Sequence, residues 1–196
     1  MSTANGYFRS FNGKSTADNV VISDKDPDGN VVVGIYEYAM QSNTSLTSIT
    51  LPNTASAIGD YAFENCTALA NISSMDNVES IGNYAFQNCD SLTSMTIPNS
   101  VTSIRDWTFY GCSSLTSVTI GDNVASIGTG AFSDCNRLTS VMIPDSVTSI
   151  SDYTFRGCSS IASVTIPDSV TSIGDSAFLE CSDIATVTIK SNGGNP

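Results

Sequence analysis

Histidine is absent from these 196 residues, and seven Lys and Arg stand against 19 Asp and Glu, for a net charge of −12. No basic patch is available to neutralise phosphates, which argues against a nucleic-acid partner. An anionic membrane surface is disfavoured on the same ground. No apolar run approaches the roughly 18 residues that cross a bilayer, so no membrane insertion is expected. The opening MSTANGYFRSFNGKSTADN has no basic start followed by an apolar stretch, and no secretory signal is visible in it. Lacking histidine, the chain also lacks the commonest general base and zinc ligand. Lysine is limited to Lys14, Lys25 and Lys190, and no Ser or Cys lies in a nucleophile motif. The acids fall mostly on repeated turns with no evident cleft for paired-carboxylate chemistry. A non-enzyme with no cofactor and no metal is expected.

What the chain has is a period. Cys66, Cys89, Cys112, Cys135, Cys158 and Cys181 are each 23 residues apart, and so are Phe63, Phe86, Phe109, Phe132, Phe155 and Phe178. A fixed period of 20–29 residues with apolar residues at fixed offsets predicts a leucine-rich-repeat solenoid. We expect a mostly β coil with short turns or 3-10 segments, wound into a right-handed arc. Within a unit, Leu115, Val118 and Ile120 mark a short strand whose alternate residues enter the core. A Pro or Gly (Pro98, Gly121, Pro144) ends it, and an Asx residue (Asn99, Asp122, Asp145) holds the turn. Much of the acidity is thereby assigned to turn chemistry. Val147 and Ile150 with their equivalents line the opposite wall, while Ala131-Phe132 and its equivalents fill the middle, Thr108 and Thr154 replacing Ala.

Three parts are expected: an N-terminal segment with a capping hairpin (1–34), about seven repeats (35–189), and a tail or linker (190–196). In the first part, Tyr7, Phe8 and Phe11 are candidate anchors, and the runs Val20–Ile22 and Val31–Val33 around SDKDPDGN read as a β-hairpin. Asp24, Asp26, Asp28 and Gly29 match the opening of an EF-hand loop, but Ile35 stands where its bidentate Glu belongs, so a solvated acidic turn is expected. The first repeat is degenerate, with Met40 at the Phe offset and Asn43 at the Cys offset. No polar capping repeat follows the last strand, so an open C-terminal edge is expected, free for end-to-end self-association or for cover by a neighbour. The six cysteines share one offset, and parallel side chains about 5 Å apart suit disulfide geometry poorly. Buried free thiols are expected instead.

The 23-residue unit LTSVTIPDSVTSIGDxAFxxCxxL closely resembles the BspA-like (Treponema-type) leucine-rich repeat over about residues 35–189, on its AF, Cys, IP and IG offsets. That resemblance implies a surface or secreted protein associated with adhesion to host matrix proteins and cells, without catalytic residues. Four positions depart from the pattern: Ser74 for Ile, Met75 for Pro, and Arg105 and Ser151 for Gly. Distortion of the strand near Ser74 follows.

Two surfaces are candidates for binding. One is a Ser/Thr face, with Ser117 in one column and Thr96, Thr119 and Thr165 in the next, interrupted by Met142. It reads as a docking face, as an ordered ice-binding array, or as strand residues chosen only for their β-propensity. The other is an aromatic stripe, Tyr38, Tyr61, Tyr84, Trp107 and Tyr153, broken by Gly130 and Ser176, with Tyr110, Arg105 and Arg156 nearby. Aromatics with Arg are typical of binding hot spots, although such rings also shield corners by packing. The function expected is adhesion or protein interaction, with a protein or glycoprotein as ligand; the alternatives are an ice-binding protein and a structural spacer.

Overall fold

The computed structural model describes residues 2–4, 7–10 and 18–190, the first two segments as backbone only. Among them there is no helix. The chain coils into rungs with three walls: a front strand, a shorter back strand, and a wall of turns. Ser117–Ile120, Ser126–Ile127 and the turns from 129 to 137 make one such rung. Neighbouring rungs pair in parallel with no register shift, Ser117 beside Ser140 and Ile104 beside Ile127, because their offsets repeat. The core lies between the walls, where Leu69, Leu115, Val124, Ile127 and Phe109 are fully buried.

The turn wall is a ladder in its own right. Each rung donates three backbone N–H groups to the next: Tyr61 to Asn83 (2.9 Å), Phe63 to Ala85 (2.8 Å) and Asn65 to Gln87 (2.8 Å). Keeping alternate donors aimed the same way requires left-handed backbone at two offsets. The first holds Tyr38, Tyr61, Tyr84, Trp107, Gly130, Tyr153 and Ser176; the second holds Ser42, Asn65, Asn88, Gly111, Asp134, Gly157 and Glu180. Gly, Asn and Asp suit such positions, while Tyr and Trp do not.

At the N-terminus, Ser2–Ala4 and Tyr7–Ser10 form an antiparallel hairpin, and Tyr7–Ser10 continues in parallel onto Gly34–Ile35 of the back wall. The hairpin expected between Val20–Ile22 and Val31–Val33 needs correction. Val20 and Val21 instead pair in parallel with Ile49 and Thr50 as the first front strand. The chain folds back only beyond Ile22, where an antiparallel bridge joins Lys25 to Val31 and backbone bonds run from Val32 N–H to Asp24 (2.8 Å) and from Asp26 N–H to Asn30 (2.9 Å). The acidic turn between them is locked by Asp26, whose Oδ1 accepts from the backbone of Asp28 and Asn30 at 3.0 and 2.8 Å. Of the candidate anchors, Phe11 lies outside the described residues, as do the side chains of Tyr7 and Phe8.

Both sheets are interrupted between the same two rungs. The front sheet divides between Asn71–Ser73 and Ser94–Ile97, and the back sheet between Ser80–Ile81 and Ser103–Ile104. Two departures from the repeat meet there. Ser74 is left-handed (φ 63°), and a cavity of about 370 Å³ beside it is lined by Ile72, Met75 and Met95. Arg105 replaces a glycine whose place is set by contact: a Cβ at Gly59 would lie 2.5 Å from the Glu37 nitrogen, and one at Gly128 2.5 Å from Asp106 Oδ1. Gly82 donates N–H to the Ile58 carbonyl of the rung before it at 2.9 Å and Gly128 to that of Ile104 at 2.8 Å, and no counterpart forms at Arg105 among the described residues. At Ser151, the other replacement, the hydroxyl takes over, donating to the Ile127 carbonyl at 2.7 Å. The turn wall runs through the seam unbroken, with Phe86 N–H on Thr108 at 2.8 Å.

Candidate functional site

Two aromatic ladders grow from the turn wall. Phe63, Phe86, Phe109, Phe132, Phe155 and Phe178 stack with centroids 5.3–5.6 Å apart, and the first five are fully buried. Two residues earlier in each turn, Tyr38, Tyr61, Tyr84 and Trp107 stack on the outside at 5.0, 4.8 and 6.4 Å, with ring planes within 9°. Tyr110 meets Trp107 edge-on at 5.3 Å. The outer ladder stops at Gly130, where any Cβ would collide with the Trp107 ring, so glycine is what lets the indole lie flat against the next rung. Tyr61, Tyr84 and Trp107 are half-buried, while Tyr38 at the head is 49% exposed. Left-handed backbone costs a residue with a side chain about 1–2 kcal/mol, and each ring stack returns about 0.5–1.5 kcal/mol. The ladder therefore roughly offsets its own strain. The Tyr61 hydroxyl is held above the usual phenol range, by desolvation first, then by the Tyr84 and Tyr38 hydroxyls and the Glu64 and Asp60 carboxylates.

The remaining candidates are scattered. Tyr153 stands beyond Gly130, exposed and outside the stack. Arg156 is engaged by Asp134 at 3.5 Å and Glu180 at 3.1 Å. Arg105 forms no ion pair among the described residues; with Tyr36, Glu37, Gly59, Asp60 and Gly82 it lines a back-wall groove of about 330 Å³. Sequence reasoning missed that groove, although the Arg at a glycine offset was its signal. On the front wall, Thr96 and Thr119 pair in register, Ser117 lies between Ser94 and Ser140, and Thr165 is beside Met142. Met142 is 79% exposed, so the Thr column is cut there and again at the seam.

The cysteines are free and five are buried. Each thiol donates to the carbonyl 26 residues earlier, as Cys112 does to Phe86 at 3.1 Å and Cys135 to Phe109 at 3.2 Å. Burial pushes the Cys66 and Cys112 thiols up to about 12. They are packing groups rather than nucleophiles. Among the described residues no three potential metal ligands converge, and no helix is long and apolar enough to cross a membrane.

A family model for the BspA type leucine rich repeat region matches in six copies, over residues 33–141 and 79–194. A leucine-rich repeat protein of T. pallidum is 32% identical, with 87% of this chain and 79% of that chain covered and a TM-score of 0.80. One from Bacteroides ovatus is 28% identical with a TM-score of 0.60, covering 98% of this chain and 63% of its own. The pneumococcal vaccine antigen PcpA, 16% identical with a TM-score of 0.53 over 94% of this chain and 66% of its own, shares the fold. Comparison with curated proteins finds no match.

Proposed function

Because the chain belongs to the BspA-type leucine-rich repeat family, we propose that it is a non-enzymatic interaction module whose outer aromatic ladder docks a protein or glycoprotein. One observation carries this reading. Four large aromatic side chains occupy left-handed positions that glycine fills at Gly130, and they remain partly accessible along one edge. Strain retained at a surface is a pointer to use. Stacking rigidifies the rings in advance, so docking them costs little further side-chain entropy. Adhesion at a cell surface, with a host matrix protein or a cell as counterpart, is the finer form of the proposal. In it residues 1–34 serve as the cap; of the tail or linker expected at 190–196, all but Lys190 lies outside the described residues. The last rung, where Ile173, Leu179, Val187 and Ile189 are exposed, would meet a neighbour end to end.

The test is binding of the purified chain to matrix glycoproteins and to host cells, beside a Tyr84→Ala/Trp107→Ala variant. Saturable binding that drops at least about tenfold in the variant is expected, as for a hot-spot pair. Binding that survives intact moves the site to the Ser/Thr face, and no binding by either chain overturns the adhesion form.

A further inference from the structure

The charge of the molecule is unevenly placed. Between Lys25 and Arg105 there is no Lys or Arg, yet Asp26, Asp28, Glu37, Asp60, Glu64, Asp76, Glu79 and Asp90 all fall in that stretch. Tyr38, Tyr61 and Tyr84, three of the four stacked rings, belong to it too. Glu37 and Asp60 immediately precede Tyr38 and Tyr61, and Glu64 follows Tyr61 by one turn. The ion pairs among the described residues all lie at the other end, on Arg156 and Lys190. Around the rings the carboxylates meet neutral groups instead: Asp60 Oδ1 accepts from Asn83 N–H at 2.7 Å, and Glu64 Oε2 from the Gln41 amide at 2.5 Å. Hydrogen bonds of this kind fix the carboxylates without neutralising them; the one cation nearby, Arg105, lines the same groove as Glu37 and Asp60 but forms no ion pair among the described residues.

We infer that the N-terminal rungs of the outer ladder, with Glu37, Asp60 and Glu64, receive an extended Lys/Arg-bearing segment of a partner protein. This rests on the reading of the ladder as a docking stripe and names the chemistry of its ligand. The rings cover one another's faces, so what they offer along the edge is a row of phenol oxygens, hydrogen-bond acceptors for guanidinium and ammonium groups. Tyr38 heads the row with one face uncovered by any ring among the described residues, a seat for an arginine by cation–π contact. The acids lie on successive rungs rather than around one point, and no three converge on a metal. A ligand that runs along the stack satisfies them, where a single ion does not. An acidic partner is repelled along the whole stretch.

The test measures binding of fluorescent 12-residue peptides to the intact chain: alternating Arg/Ser, alternating Glu/Ser, and alternating Asn/Ser. The Arg peptide should bind saturably and the other two should not, with affinity falling at least about tenfold from low to high salt as screening removes the charge term. Glu37→Gln/Glu64→Gln should weaken it about fivefold, the scale of two exposed ion pairs. Asp122→Asn/Asp168→Asn, which removes the same charge from exposed turns of the other half, should leave it within twofold. An equal loss in both variants makes the attraction one of net charge and overturns the inference. So does an Arg peptide that fails to bind while the glycoprotein panel still responds to Tyr84→Ala/Trp107→Ala; the docking reading then stands without its basic ligand. If the panel is silent as well, the docking reading falls with it.

Discussion

A single residue separates Tyr61 from Phe63, and a single residue separates Trp107 from Phe109, yet the columns they belong to differ in almost every respect. The Phe column has ordinary backbone, even spacing and complete burial through five rungs. The Tyr/Trp column is left-handed throughout, spaced from 4.8 to 6.4 Å, and abandoned at Gly130. A position whose only task is to fill space keeps one residue type and pays no backbone strain. A position that keeps costly residues on some rungs and drops them on others answers to something besides the core. The difference also runs along the molecule: the rungs of Tyr38, Tyr61 and Tyr84 lack Lys and Arg, Arg105 stands beside the last ring of the ladder, Trp107, and the rungs beyond carry Arg137, Arg156 and Lys190.

The largest expected effect strikes the buried thiols packed beside the Phe column, with a smaller share from Tyr61, whose hydroxyl is also raised. Each thiol is hydrogen-bonded to a core carbonyl, on a Phe for all but Cys66, and burial raises the folded-state pKa from the ordinary 9.0 to about 12 at Cys66 and Cys112. Below pH 9 both folded and unfolded chains hold the proton and no stability is lost. Above it the unfolded chain releases protons that the folded one retains. Stability then falls by up to about 1.4 kcal/mol per thiol per pH unit until the folded pKa is reached. Denaturant titrations from pH 8 to 11 should show that decline, and Cys112→Ala/Cys135→Ala should flatten it by about two proton equivalents. An unchanged alkaline limb in that variant would place the loss elsewhere.

Next in size is the direct contest between the columns. Phe109→Ala should cost about 3–5 kcal/mol, as a fully buried ring leaves a cavity. Tyr84→Ala should cost about 1–3 kcal/mol, the two stacks with Tyr61 and Trp107. Tyr84→Gly sharpens the comparison, because it loses the same stacks but relieves the left-handed backbone. It should recover about 1 kcal/mol relative to Tyr84→Ala. Equal midpoints for Ala and Gly at 84 would mean that the outer column carries no strain, and the main support for its use would go.

The period, the core offsets and the free thiols were legible in the sequence because burial selects residue types directly: Leu115, Ile127 and Phe109 can only face inward. Distortion near Ser74 was legible as a break in that pattern. Left-handed backbone was not, since Tyr and Trp advertise the opposite; the signal lay in Gly111, Gly130 and Gly157, which share offsets with them. The N-terminal hairpin was misread because β-branched runs around a turn specify extended chain but not its partner, and Val20–Val21 found a rung to join. The back groove was hidden for a related reason. Arg105 was visible as a missing glycine, but only the contact that glycine makes with the rung beneath explains why the sheets part there.

The smallest effect concerns how the chain tolerates such a missing glycine. Thr stands at the Ala offset in two rungs, 108 and 154, and these are the two rungs in which Arg105 and Ser151 replace Gly. The Thr154 hydroxyl donates to the Ser151 carbonyl at 2.8 Å and lies 3.3 Å from the Gly128 carbonyl; Thr108 does the same with Arg105 and Gly82. The hydroxyl thus ties the altered corner to the rung below, a role Ala cannot fill where the rungs are already close enough. Thr154→Ala should cost about 1 kcal/mol beside Ser151. It should cost clearly less in a Ser151→Gly background, where the close corner of Gly128 and Gly174 is restored. A double-mutant cycle read by chemical denaturation gives the coupling, expected at about 0.5–1 kcal/mol. A coupling of zero would make the pairing of Thr with the lost glycine a coincidence of sequence. A positive coupling makes it a repair, one that holds the turn wall, and with it the outer ladder, in line across rungs whose sheets are weakened.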